Sequence, residues 1–72
     1  MYQTYTATIT YAPFGLEGIT MSNVIGRTRK DALALAVQTM TEVGISHGMA
    51  KWEADANAKM AKIKLSKVKA TH

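Results

Sequence analysis

The sequence contains no cysteine, one proline, one tryptophan and one phenylalanine in 72 residues. Without cysteine, neither a disulfide nor a cysteine-based zinc site can stabilise the fold. A chain of this size buries only about 60% of its unfolded surface, and much of its 47% hydrophobic content is alanine. We therefore expect residues 1–72 to form one small domain with a thin apolar core.

Long hydrophobic runs are also missing from the sequence. No stretch approaches the roughly 20 apolar residues that are needed to cross a bilayer. Residues 1–11 alternate apolar side chains with Thr and Gln and do not resemble a secretory signal. We interpret the protein as cytoplasmic, with no membrane among its partners.

Acidic residues are absent from the last fourteen positions, which contain five lysines: Lys59, Lys62, Lys64, Lys67 and Lys69. The net charge is −1 over residues 1–26, zero over 27–57 and +5 over 58–72, which sums to +4. Because a local basic patch attracts anionic surfaces, this charge layout predicts a partner that carries acidic groups.

Residues 1–26 predict a β-hairpin. Threonine occupies every even position from 4 to 10, and the residues between and after the threonines are Tyr5, Ala7, Ile9 and Tyr11. This alternation is typical of a strand with one core face and one threonine face. Pro13 should end that strand, and residues 19–25 are expected to pair with it after a turn bracketed by Gly15 and Gly18.

Residues 28–43 predict an α-helix. Thr28 is a favourable N-cap, and Asp31 places an acidic group in the first turn. The expected core stripe comprises Ala32, Leu33, Ala36, Val37, Met40 and Val43. Gly44 is expected to follow the helix as its C′ residue.

Residues 49–68 allow two interpretations. Alanine, Trp52 and Met60 alternate with polar residues from 50 to 60, which favours strands at about 49–55 and 60–68, with a bulge or a strand end near Ser66. The preferred fold is then α+β, with a four-stranded antiparallel sheet and one helix on one face (β-β-α-β-β). The alternative is β-β-α-α-β, with residues 47–60 as a second helix, because alanine favours helices. Residues 69–72 are expected to be frayed.

The sequence offers little for catalysis. Ser46, His47 and Asp55 lie too near one another along the chain to resemble a catalytic triad, whose members usually come from separate segments. Glu53 and Asp55 would share a strand face, but Lys51 and Lys59 flank them, which is typical of exposed ion pairs. We therefore expect no catalytic residue, no metal site and no cofactor.

Two basic clusters are the main candidates for partner binding. Arg27, Arg29 and Lys30 lie at the predicted helix start, where backbone N–H groups and the helix dipole also attract anions. Lys62 and Lys64 should project from one face of the last strand, with Lys67 and Lys69 on the other face unless the chain bulges at Ser66. The secondary candidates are Phe14, Leu16, Lys67 and Lys69.

The Gly26-Arg27-Thr28-Arg29 approach to an alanine-rich helix ending in Met40-Thr41-Glu42-Val43-Gly44, after an N-terminal hairpin, resembles small phage-encoded anti-CRISPR proteins. The likeness covers residues 1–44. It implies a non-enzymatic inhibitor that occupies a site on a large host nucleoprotein. It carries no functional residue over to this chain, because that group of proteins has no shared site.

Two functions therefore follow from the sequence. The preferred one is a binding protein, specifically a phage or mobile-element inhibitor that occupies a site on a host protein or nucleoprotein complex. The alternative is a small basic accessory protein that binds nucleic acid through its lysines. The threonine face and the thin core also leave a homodimer open.

Overall fold

The computed structural model describes residues 2–68, and that part of the chain forms five elements. In chain order they are β1 (Gln3–Tyr11), β2 (Thr20–Gly26), α1 (Arg29–Ser46), α2 (Lys51–Met60) and β3 (Lys62–Lys67). The strands form an antiparallel sheet in the order β2-β1-β3. α1 packs on one face of the sheet, mainly over β2, and α2 packs against α1.

The predicted four-stranded sheet is wrong, because the segment expected to form a strand at 49–55 is helical. The α+β class is correct, and the element order is that of the alternative, β-β-α-α-β. Ala54, Asn57 and Ala58 are buried at helical spacing, so alanine's preference for helix outweighs the strand-like alternation. Trp52, which the alternation placed on a core face, is 69% exposed.

The start of α1 follows the prediction, whereas its end does not. Thr28 is the N-cap, and its Oγ1 accepts a hydrogen bond from the Asp31 backbone N–H at 3.1 Å. The helix continues past Gly44 to Ser46. The glycine that ends it is Gly48, with φ of +98°, and the Gly48 and Met49 N–H groups donate to the last carbonyls of the helix, as in a Schellman motif.

Gly44 instead lies where the two helices meet. A Cβ atom placed on it would lie 3.2 Å from the Cβ of Ala54. The absence of a side chain at this position therefore allows α2 to approach α1 closely.

The stripe of α1 that faces the core consists mostly of small residues: Ala32, Ala36, Met40 and Gly44. The predicted stripe was too wide, because Leu33 is 39% exposed. Small side chains let the helix axis approach the sheet, where it covers Tyr5, Ala7 and Ile9. The larger apolar residues on either side of that stripe therefore remain partly exposed to solvent.

Each pair of strands contains one irregularity. In β2, Asn23 adopts a φ of +60°, and the extra residue allows both Met21 and Val24 to be buried. In β1, the register shifts between Ile9 and Tyr11. Of the two alternatives predicted near Ser66, the structure has the strand end, because β3 ends at Lys67 and its register with β1 is uninterrupted from Ile63 to that residue.

Within residues 2–68, no helix has the length and the apolar character needed to cross a membrane. The predicted fraying of residues 69–72 concerns positions outside the described residues.

Candidate binding face

The two faces of the sheet differ in what covers them. One face carries Tyr5, Ala7 and Ile9, which are buried against the helical layer. The opposite face, here called the open face, is covered by no described element, because α1 lies on the first face and α2 packs against α1. The open face comprises Thr4, Thr6, Thr8, Thr10, Tyr11, Thr20, Ile25, Lys62, Lys64 and Ser66.

Hydroxyl groups occupy the centre of the open face. Thr8 lies directly between Thr20 on β2 and Lys64 on β3, and Thr6 pairs with Ser66. Alternate residues of a strand are about 7 Å apart, so the threonines of β1 form a regular row. A threonine hydroxyl can donate one hydrogen bond and accept others, which suits a polar ligand that lies along the strand, although the Thr10 hydroxyl already donates to the Lys62 carbonyl.

One end of the open face is marked by Tyr2 and Arg27. Tyr2 comes directly before Gln3, and Arg27 directly after Gly26, which is the partner of Gln3 in the terminal pair of the β1–β2 ladder. Since Thr4 and Ile25 lie on the open face, the alternation of strand residues places Tyr2 and Arg27 on that face as well. The Arg27 guanidinium lies over the Tyr2 ring, with its carbon 5.4 Å from the ring centroid. This cation–π contact orients the guanidinium without occupying its N–H groups with an acidic partner.

The other end is marked by Tyr11 and Lys62, and here the sequence prediction was wrong. The alternation placed Tyr11 on the core face, but the bulge at Thr10 makes Tyr11 pair with Lys62. Residues that face each other directly in a ladder have their side chains on the same side of the sheet. Tyr11 therefore lies on the open face and is 44% exposed, while Thr10 Oγ1 donates to the Lys62 carbonyl at 3.0 Å.

The acidic residues of the protein lie outside the sheet. None of the three strands of the described chain contains an acidic residue. The five acidic residues lie in the β1–β2 loop and on the helices: Glu17, Asp31, Glu42, Glu53 and Asp55. The open face therefore presents the cations Lys62 and Lys64, with Arg27 at its end, and no carboxylate to neutralise them.

The predicted cluster at the helix start is divided by the fold. Arg27 lies at the open face, whereas Arg29 reaches across to β3, where its Nη2 donates to the Leu65 carbonyl at 3.0 Å. The Val68 N–H bonds to the Thr4 carbonyl, so by alternation the Leu65 carbonyl points away from β1. Arg29 thus covers a free backbone group at the edge of β3, and Lys30 lies exposed on α1.

The predicted second cluster is retained, since Lys62 and Lys64 lie on the same face of β3. Lys67 pairs with Tyr5 and so lies on the opposite face, as predicted for a strand without a bulge at Ser66. Lys69 lies outside the described residues.

The two apolar secondary candidates lie in the β1–β2 loop. Leu16 is half-buried and packs against the core, so little of it is free for a partner. Phe14 has an exposed side chain, but its backbone N–H donates to Asn57 Oδ1 at 2.8 Å. Asn57 Nδ2 in turn donates to the Gly15 carbonyl at 2.9 Å.

Tyr2, Tyr11 and Asn57 were not identified as important from the sequence. Tyr2 precedes the alternating segment, and nothing in a single sequence locates a bulge at Thr10. Asn57 offered a weak signal, because a lone amide in an alanine-rich helix is suited to satisfying the backbone groups of a loop.

The residues examined for catalysis take structural positions. His47 caps the end of α1, and its Nδ1 lies 3.0 Å from the Val43 carbonyl oxygen. Glu53 and Asp55 are two positions apart on a helix, so their side chains diverge by about 200° rather than sharing a face. Among residues 2–68 no three His, Asp or Glu side chains are grouped to hold a metal ion.

No protein-family model, no curated protein and no solved structure matches this chain.

Proposed function

We propose that this protein is a non-enzymatic binding protein that docks its open face on an anionic surface of a host protein or nucleoprotein complex. It would act as an inhibitor that occupies a site, in the manner of small phage-encoded anti-CRISPR proteins. The observation that carries the proposal is that the three strands of the described chain contain no acidic residue. The strands contain cations and hydroxyls, and all acidic residues lie in the helices and the β1–β2 loop.

The cations of the open face have different roles in this proposal. Arg27 is held over Tyr2, and a guanidinium can grip a carboxylate or a phosphate through two hydrogen bonds. Lys62 and Lys64 are point charges that mainly accelerate association. Arg29, the other arginine of the predicted cluster, is partly occupied by the Leu65 carbonyl. We therefore assign specificity to Arg27.

The test compares two variants with the same change in charge. The open-face variant carries Lys62→Glu and Lys64→Glu, and the control carries Lys51→Glu and Lys59→Glu on exposed positions of α2. Each pair changes the formal net charge by −4, from +4 to zero. Tagged protein is incubated with host lysate, with and without nuclease, and the captured partner is quantified by mass spectrometry.

We expect the open-face variant to lose the partner and the control to retain it, with both circular dichroism spectra unchanged. Arg27→Glu alone should also abolish capture. If the two double variants lose the partner equally, net charge rather than the open face governs binding, and the proposal fails.

A further inference from the structure

The geometry points to single-stranded nucleic acid as the anionic component that the open face binds, with Tyr2 and Tyr11 as stacking platforms at its two ends. This inference rests on the proposed function, since it names the chemistry of the partner at the same face. Arg27, Lys62 and Lys64 would contact phosphates, and the threonine hydroxyls would contact the backbone between them.

The placement of the tyrosines is the first argument. Proteins that bind single strands combine a cationic track with aromatic rings on which unpaired bases stack. The sequence alone shows no aromatic residue among the lysines, but the fold brings Tyr11 beside Lys62 and Tyr2 beneath Arg27. Each end of the open face therefore joins a ring to a cation. At the Tyr2 end, a base can also stack on the guanidinium plane.

The length of the face is the second argument. Tyr2 and Tyr11 are nine residues apart along an extended strand, which corresponds to about 30 Å. The row between them carries hydroxyls and no carboxylate. Threonine and serine hydroxyls are common ligands of phosphate oxygens and sugars. An extended strand of several nucleotides can therefore lie along β1 and contact both rings.

The shape of the face favours a single strand over a duplex. The major groove admits an α-helix or a two-stranded β-ribbon, whereas the open face is one side of a three-stranded sheet. The tyrosine rings can stack only on bases that are not already stacked within a duplex. A purely acidic protein surface would match the cations but leave the role of the two exposed rings unexplained.

The binding test uses fluorescence anisotropy with a labelled single strand of about 12 nucleotides, a length within the range of single-strand binding sites. We expect the DNA or RNA single strand to bind, and the matched duplex to bind at least tenfold more weakly. Tyr2→Ala and Tyr11→Ala should each weaken binding about tenfold or more, and Tyr11→Phe should retain it. Trp52→Ala, which removes an exposed aromatic ring from α2, is the matched control and should bind like the parent.

The salt dependence gives an independent measure of phosphate contacts. Log affinity decreases linearly with log salt, and this decrease should become less steep by about 1.4 in a variant with Lys62→Gln and Lys64→Gln. Each phosphate contact with a single strand contributes about 0.7 to the steepness. The same double substitution at Lys51 and Lys59 should leave the slope unchanged.

Three outcomes would overturn the inference. The first is no binding of the single strand at low salt. The second is equal competition by inorganic polyphosphate, which would show attraction without stacking. The third is unchanged affinity in both tyrosine variants. If single strands do not bind, yet Lys62→Glu with Lys64→Glu still abolishes capture from nuclease-treated lysate, the occupant is an acidic protein. In that case the proposed function stands and this inference alone fails.

Discussion

Asn57 joins α2 to the β1–β2 loop through two hydrogen bonds. It is the buried polar residue of the core within the described chain, with 1% of its side chain exposed. Its amide accepts from the Phe14 N–H and donates to the Gly15 carbonyl. Across residues 2–68, no buried side-chain nitrogen or oxygen lacks a hydrogen-bond partner. The loop conformation therefore depends on one side chain that lies over 40 residues away in sequence.

Asn57→Ala should destabilise the protein by roughly 1–3 kcal/mol, because it leaves the Phe14 N–H and the Gly15 carbonyl without partners. In a domain of this size, each kcal/mol lowers the melting temperature by about 4–8 °C. A thermal melt followed by circular dichroism measures the shift. Gln38→Ala, on an exposed position of α1, is the control and should melt within error of the parent. An unchanged melt for Asn57→Ala would show that the loop does not depend on the amide.

α1 contributes to the core through a narrow stripe of small residues rather than through its leucines. Met40 is 1% exposed, whereas Leu33 is 39% exposed. At the far end of the stripe, Gly44 allows the close crossing with Ala54. The helix is thus held by close backbone approach, and its larger apolar residues add less burial than their hydrophobicity suggests.

Met40→Ala should cost about 2–5 kcal/mol, the range for large-to-small changes at buried sites. Leu33→Ala should cost less than about 2 kcal/mol, because much of the Leu33 side chain remains in solvent. Urea unfolding of both variants measures their free energies of unfolding, which are compared after the m-values have been shown to be equal. If Leu33→Ala lost as much stability as Met40→Ala or more, the face of α1 that packs against the core would be the one that carries Leu33.

The whole molecule is elongated, with principal extents of 41 × 20 × 18 Å, and it separates a basic sheet from a helical layer that carries acidic groups. Two copies that met through their open faces would oppose like charges. At the edge of β3, Lys62 and Lys64 with the Arg29 contact to Leu65 also disfavour pairing with another strand. The sequence left a homodimer open, and this arrangement of charge leads us to expect a monomer at low salt.

We expect light scattering at low salt to give the monomer mass of 7.8 kDa from micromolar to millimolar concentration. If repulsion between exposed charges keeps two copies apart, added salt should favour association and raise the measured mass, because salt screens that repulsion. Lys62→Gln with Lys64→Gln should behave in the same way as added salt. A stable dimer at low salt would contradict this reasoning and would require an interface away from the lysines.

Local signals in the sequence determined several features of the protein. These are the α+β class, the threonine face of β1, the N-cap at Thr28, and the placement of Lys62 and Lys64 on one side of the last strand. Each depends on residues within a few positions of one another, where steric preference and side-chain alternation act directly. The same signals failed at residues 51–60, because a period-two alternation of alanine with charged residues fits either a strand or a helix until packing selects one.

Only the tertiary structure decided which surface is available for binding. The bulge at Thr10 turns Tyr11 away from the core and sets it beside Lys62. The crossing of α1 over the sheet separates Arg29 from Arg27 and directs it to the edge of β3. Asn57 acquires its role only because α2 meets the β1–β2 loop. These features arise from contacts between distant parts of the chain, whose energies depend on the packed arrangement and not on any local sequence pattern.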